Sequence, residues 1–384
     1  MRESFLHFSQ PTITRTEIAE VVKTMKSGWL TTGAQSRRFE EEFAAYIGVR
    51  HAVAVSSCTA ALFLSLIAEG VQPGDEVITT PFTFVSTANV IHHLGAVPVF
   101  ADIDEETWNI DPEAVARAVT RKTRAVIPVH YSGQPCDMAA LTDLARRRKL
   151  RIIEDAAHAF GATYDGKRRV GSLGNLTCFS FFPTKNITTA EGGLITLNDG
   201  RKARRLVKLR LHGMSKDGWK RYAKEGAWYY EVHEAGYKFN LPDLCAAVGV
   251  AQLARIGEIN SKRRKLAEHY IKRLAEIPGI RTVTLRPGAT SSWHIFPVWV
   301  DKAVFGMDRN RLIEELKKRN IGTSVHFIPA HLQPFYRNTY GTKKGDFPRA
   351  EKAFEGIVSL PLFPGMSIRD ADDVVAALRD LASK

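Results

Sequence analysis

Cysteine is scarce in this chain: four residues in 384, at Cys58, Cys136, Cys178 and Cys245, with no C-x-x-C pair among them. That spacing excludes a zinc ribbon and a disulfide framework, and a reducing cytoplasm is the expected compartment. Long apolar runs are missing as well. The Met1–Pro11 stretch lacks the continuous apolar core of a signal peptide, and no uninterrupted run is long enough for a bilayer span. A soluble protein with no membrane partner is therefore expected. With 44% apolar and 25% charged residues, disorder does not fit. Neither G-x-x-x-x-G-K-[ST] nor a strand-following G-x-G-x-x-G occurs, which removes the usual phosphate cradles of ATP-driven and nicotinamide-dependent enzymes. No metal-ligand spacing is present, so no metal is expected.

Acidic residues are outnumbered. Against 54 Lys and Arg stand 41 Asp and Glu, a net charge of +13, which suits an anionic partner without choosing among a phosphorylated metabolite, nucleic acid and a membrane surface. The basic clusters at Arg146–Lys149, Arg201–Arg210 and Lys262–Lys265 fall on helical patterns whose other face is apolar. Solvated helix faces explain them, and no zinc-finger, RNA-recognition or helix-turn-helix pattern supports specific nucleic-acid binding.

What is there is alternation. From about residue 52 to 197, β-branched runs at 52–55, 76–80, 97–101, 124–129, 151–154, 177–182 and 193–197 are separated by helical patterns at 59–69, 85–94, 111–119 and 138–149. This predicts an α/β domain with a seven-stranded, mainly parallel sheet. A helical pattern from Pro242 through Leu274 leads into a smaller α+β tail, with strands expected near 281–286, 294–300 and 322–326 and helices near 308–318 and 368–381. The expected division is a large domain over 1–250, including an amino-terminal arm, and a small domain over 251–384. No Gly, Ser or Pro-rich linker separates the two, so they should be packed together.

Three segments could carry chemistry. In Val53–Leu62 a buried strand runs through small hydroxyl residues into a helix, so the amides of Thr59 and Ala60 could meet an anion, although a plain helix cap by Ser57 or Thr59 reads equally well. In Ile152–His158 an apolar strand ends in Asp155 and turns toward His158; a carboxylate at a sheet's carboxyl edge can hold a protonated heterocyclic nitrogen, such as the pyridinium of pyridoxal phosphate. Its structural alternative is a turn-capping Asp with an interior His. In Phe179–Gly193 a strand leads to a single lysine, Lys185, among Phe182, Pro183 and Ile187 rather than charges, which suits an amine of lowered proton affinity able to form a Schiff base.

With these residues in place the chain resembles the DegT/StrS nucleotide-sugar aminotransferases over nearly its whole length. The marks are SGWLTTG at 27–33, SSCTAAL at 56–62, EDAAH at 154–158, SFFPTK at 180–185, GYKFN at 236–240, LPDL at 241–244 and SLPLFP at 359–364. The resemblance implies the aspartate-aminotransferase type I fold and pyridoxal 5′-phosphate as cofactor. It implies that Lys185 forms the Schiff base, that Asp155 pairs with the pyridinium nitrogen, that His158 lies by the ring and its hydroxyl oxygen, and that Phe84 stacks on the ring face. Thr59, Ala60 and Ser180 would hold the phosphate. Asn240 would reach the phosphate of a neighbouring subunit's cofactor, which implies a homodimer with shared sites. Thr31, Thr32, Gly33 and His326 would line the sugar pocket.

Lysine at 185 separates two branches of the family, because the related sugar dehydratases carry histidine there. The implied reaction moves the amino group of L-glutamate to a 4-keto sugar linked to a nucleotide, UDP being expected, and gives a 4-amino sugar and 2-oxoglutarate. Within the family the chain is most similar to the branch making UDP-4-amino-4-deoxy-L-arabinose for lipopolysaccharide (lipid A) modification. It departs from that branch at Phe84, where a tryptophan is usual, at Cys58, across Gly213–Ala235 and within Phe181–Thr184. A UDP-4-keto-6-deoxyhexose, its acetamido derivative and a keto-cyclitol thus remain alternative acceptors, and a DNA-binding regulator is the alternative from another class. Cys58 reads as a packing residue, since no motif supplies it with a base.

Overall fold

The computed structural model describes residues 2–215 and 228–382. Seven strands, β1 (His51–Val55), β2 (Glu76–Thr79), β3 (Val97–Phe100), β4 (Thr123–Ile127), β5 (Arg151–Asp155), β6 (Leu176–Ser180) and β7 (Gly193–Leu197), form one sheet in the order β1-β7-β6-β5-β4-β2-β3. All neighbours are parallel except β7, which runs antiparallel to β1 and β6. The mostly parallel strands carry apolar side chains on both faces: β7 is buried throughout and β4 and β5 almost so, as a sheet covered by helices on both sides requires. Because β3, β2, β4, β5 and β6 all point the same way, their carboxyl ends share one edge of the sheet.

Helices α3 (Cys58–Ala68), α4 (Ser86–His93), α5 (Pro112–Ala118) and α6 (Met138–Arg148) fall where the apolar period places them. The two that precede the sheet, α1 (Arg15–Lys26) and α2 (Ala34–Ile47), start by different means. Thr14 and Glu17 form a capping box at α1. At α2 the cap comes from far along the chain, where the Asp243 carboxylate accepts from the amides of Gly33 (2.7 Å), Ser36 (2.9 Å) and Gln35 (3.0 Å). Beneath the sheet Phe39, Phe43, Phe160, Phe179 and Phe181 pack as one buried aromatic cluster.

Two expectations for the tail need correction. The pattern from Pro242 to Leu274 is two helices, Asp243–Ala254 and Ile256–Leu274, broken at Arg255, whose φ of −107° and ψ of 4° leave the helical region. The turn brings the Arg255 guanidinium to the buried Glu17 carboxylate at 2.9 Å. The expected strand 322–326 is not one. The small sheet is β8 (Ile280–Thr282), β9 (Phe296–Val300) and β10 (Ile357–Leu360), all antiparallel in the order β10-β9-β8. Segment 321–326 keeps only isolated bridges, Leu6 to Ile321 and Ser324 to Ser359, because the amino-terminal arm takes its hydrogen bonds: Gly322 N donates to Leu6 O (2.8 Å) and Leu6 N to Asn320 O (2.8 Å).

Leu6 is thereby buried in the tail's core with Tyr270, Phe296, Leu312, Val358 and Val374. Arg2 extends the contact through ion pairs to Asp370 (2.7 Å) and Asp373 (2.6 Å). No helix among the described residues is long and apolar enough to cross a membrane.

Candidate active site

The carboxyl edge of the sheet and the start of α3 enclose a cavity of about 380 Å³, into which the tail contributes His294, His326 and Phe327. Its wall brings together Thr59, Phe84, Asp155, His158, Ser180, Lys185 and His326, seven residues singled out from the sequence at positions up to 267 apart in the chain. Gly193 lets β7 come this close to α3, since a Cβ there would lie 2.4 Å from the Ser57 carbonyl.

Asp155 is the last residue of β5 and is buried. Thr87 Oγ1 donates to one carboxylate oxygen (2.8 Å) and the Ala157 amide to the other (3.1 Å). Burial nonetheless pushes its pKa up, these two bonds opposing it, and among the described residues no arginine or lysine is ion-paired with it. A buried carboxylate raised in this way is stabilised by a cation brought to it.

Lys185 follows the turn closed by Lys185 N donating to Phe182 O (2.9 Å). Its neighbour Asn186 is fastened by Nδ2 to Asn260 Oδ1 (2.7 Å) and Ser292 O (2.8 Å). Burial lowers the Lys185 pKa to about 8, against the opposing pull of Cys58 and Asp155. The three histidines of the cavity are held uncharged. Burial takes His158 and His294 well below the usual range and His326 to about 4, with the Lys185 charge adding to each. His326 Nδ1 meets Ser359 Oγ at 2.9 Å, whereas the buried Nδ1 atoms of His158 and His294 have no partner among the described residues.

At α3 the two candidate amides differ. Ser57 Oγ accepts from Ala60 N (3.1 Å) and caps the helix, as the plain reading of this segment has it. The Thr59 amide sits at the second helical position, where no intrahelical acceptor exists, and Thr59 lines the cavity with Ser57, Ser180 and Gly192. Phe84 is 59% exposed at the mouth, 6.1 Å from the Phe327 ring.

The remaining sequence candidates form a unit of their own outside this cavity's wall. Asn240 Nδ2 donates to Thr32 Oγ1 (2.7 Å), Thr32 Oγ1 to Leu241 O (2.6 Å), and Gly33 is held by Asp243. Thr31 accepts from the Asp243 amide (3.3 Å). Of the departure at Gly213–Ala235, residues 216–227 lie outside the described residues. Sequence reading passed over Thr87 and His294. Thr87 lies inside an ordinary helical pattern; His294 opens an apolar run that predicts a strand, and only its polar character amid Ile295 and Phe296 marked it.

A lysine of lowered proton affinity and a buried carboxylate awaiting a cation, both at the carboxyl edge of this sheet, define a pyridoxal-phosphate enzyme of fold type I. The unpartnered His158 Nδ1 and the uncapped Thr59 amide fit the polar groups of that cofactor. The chain belongs to the DegT/DnrJ/EryC1/StrS aminotransferase family, whose profile matches residues 11–379. It is 50% identical over 381 residues to the spore coat polysaccharide biosynthesis protein SpsC of Bacillus subtilis, covering 99% of this chain and 98% of that one. With the UDP-4-amino-4-deoxy-L-arabinose–oxoglutarate aminotransferase of Shewanella sediminis it shares 41% identity over 387 residues, 99% of each. Among solved structures it is similar to Spr1654 from Streptococcus pneumoniae in its PMP form, with a TM-score of 0.92, 33% identity and 98% of both chains covered; a PLP form of that protein superposes equally well at 0.92. The protein is a sugar aminotransferase that depends on pyridoxal phosphate.

Proposed function

We propose that the enzyme transfers the amino group of L-glutamate to a UDP-linked 4-keto sugar, yielding the 4-amino sugar and 2-oxoglutarate. The observation that carries the amino transfer is the convergence of Lys185 and Asp155 in one cavity. The acceptor is inferred from the likeness, over 99% of both chains, to the Shewanella enzyme. When bound, pyridoxal phosphate supplies the electron sink that makes a carbon–hydrogen bond beside nitrogen labile.

The chain's own residues do the rest. Asp155 holds positive charge at the ring nitrogen, with Thr87 and the Ala157 amide fixing its oxygens. Thr59 and Ser180 would hold the phosphate, Phe84 would stack on the ring face and His158 would lie by the ring and its hydroxyl oxygen. Lys185 Nζ anchors the aldehyde and afterwards holds and returns the substrate carbon's proton, a task suited to a pKa of about 8. The uncharged His326 offers the sugar a hydrogen-bonding group without bringing a charge into the pocket. The net charge of +13 draws in the pyrophosphate.

The unit made of Thr31–Gly33 and Asn240 serves the cofactor and sugar of a second subunit, in a homodimer with shared sites. Mixing Lys185→Ala and Asn240→Ala chains tests this. Random pairing puts one intact site in each heterodimer and restores about a quarter of wild-type activity; if Asn240 served its own chain's site, mixing would restore none.

The reaction is tested in two halves, by loss of the cofactor's visible band on adding glutamate and its return on adding the keto sugar. A UDP-4-keto-6-deoxyhexose is the second acceptor to try, because the chain is 50% identical to SpsC, a spore coat polysaccharide biosynthesis protein, as well as similar to the arabinose enzyme. Comparing kcat/KM for the pentose and the deoxyhexose decides between them; if neither restores the band while a free keto-cyclitol does, the nucleotide-sugar reading falls.

A further inference from the structure

His294 reaches the cavity by a strained route. Trp293, the residue before it, has φ of +50°, a left-handed conformation that a bulky side chain rarely adopts and that persists only where the surroundings enforce it. The enforcement is on hand. Arg263, buried on the helix Ile256–Leu274 and without a carboxylate among the described residues, donates from Nη1 to the carbonyls of His294 (3.0 Å), Leu362 (2.9 Å) and Trp293 (3.3 Å). On the other side Ser292 O accepts from Asn186, the neighbour of Lys185. A buried guanidinium and a strained peptide thus aim one imidazole, with Nε2 3.3 Å from Lys185 Nζ and the ring 4.4 Å from that of His158.

We propose that His294 is a catalytic residue that receives the free Lys185 amine: its Nε2 accepts a hydrogen bond from Nζ and holds the amine at the cavity wall whenever the lysine is detached from the cofactor. This rests on Lys185 being the reacting amine. No proton changes hands, because the buried imidazole is a far weaker base than the lysine. The contact stabilises the ammonium form and fixes the direction from which Nζ returns. The other groups facing Nζ are Asp155, which favours its charge, the Cys58 thiol, which burial keeps neutral, and His158 and His326, which are uncharged. None of these makes a hydrogen bond with Nζ.

The test uses the full chain stripped of cofactor, and reads how fast added pyridoxal phosphate acquires the visible band of its lysine-bound form as a function of pH. In wild type the rate rises as Nζ loses its proton, with a midpoint near 8. His294→Leu keeps the site dry but removes the acceptor, so the midpoint falls by about one unit, roughly a fivefold rise in free amine at pH 7. His294→Gln restores an acceptor and brings the midpoint back toward wild type. Circular dichroism confirms that each variant is folded. If the Leu profile superimposes on wild type, His294 only fills space and the proposal is overturned. Should the Leu variant fail to fold, the imidazole ¹⁵N resonances of His294 in the wild-type chain decide: they shift with the Lys185 midpoint, or they stay flat and the proposal falls. Absence of any visible band in wild type would instead overturn the reading of Lys185.

Discussion

The two walls of the cavity are built on different principles. The sheet wall presents Asp155 and Lys185 from local stretches, where a strand ends and the next residues form the site. The tail wall presents His294 and His326 from segments without regular pairing, held by a buried arginine, a strained peptide and the amino-terminal arm. A parallel sheet places its carboxyl ends together through topology alone, so chemistry there needs little support beyond the strands. On the tail side position depends on hydrogen bonds from residues far away in sequence. The sheet wall should therefore fail by losing chemistry, and the tail wall by losing geometry.

The largest effects test the first half of that contrast. Lys185→Ala is expected to lower turnover about 10⁴-fold and to abolish the visible lysine-bound band. Asp155→Asn removes the carboxylate that holds charge at the ring nitrogen and should cost about 10³-fold in kcat. Both proteins should retain wild-type circular dichroism. A loss of fold in Asp155→Asn would show that the sheet wall too is geometry-limited, through the Thr87 and Ala157 bonds.

The same contrast governs what could be read from the sequence. All seven strands of the large sheet are legible because each is a short strand-forming run, most of them set off by helical patterns, and so are Asp155 and Lys185, whose apolar flanks announce a buried setting. Segment 322–326 has strand composition yet is not a strand, because Leu6 competes for its backbone; no local pattern reveals a partner more than 300 residues away. The break at Arg255 escapes notice for a similar reason, since the carboxylate its side chain meets there, Glu17, lies far away in the sequence. His294 is hidden because the φ that aims it belongs to Trp293 and is enforced by Arg263. Local signals carry the elements, and non-local hydrogen bonds carry the exceptions.

Arg263 sharpens the comparison next. Arg263→Met leaves the carbonyls of Trp293, His294 and Leu362 without their donor inside the core and should cost about 3 kcal/mol in urea unfolding. Phe43→Ala, in the aromatic cluster beneath the sheet, should cost about 3–5 kcal/mol through its cavity. The two differ in what survives. Phe43→Ala should keep the pH profile of cofactor attachment, since nothing in that cluster touches Lys185, whereas Arg263→Met should shift it by freeing Trp293 and His294. Identical shifts in both would mean that the profile reports general loosening.

The smallest effect concerns stability and follows from the Lys185 amine itself. Its pKa is about 8 in the folded chain against 10.5 for an unperturbed lysine, so between those values the unfolded state binds more protons and stability rises with pH. Below pH 8 both states are protonated and the folded chain bears the full cost of a desolvated ammonium. Lys185→Met removes that charge while keeping an unbranched apolar stem, and without cofactor it should be more stable than wild type by about 3 kcal/mol at pH 7. Its advantage should shrink as pH rises from 8 and be gone near 10.5. Urea unfolding of the two cofactor-free proteins at pH 7 and pH 10 checks both the sign and the trend. An advantage that stays constant with pH would trace to packing and remove the case for a depressed lysine, whereas one that fades on schedule shows that the sheet wall gives up stability to keep its amine ready for reaction.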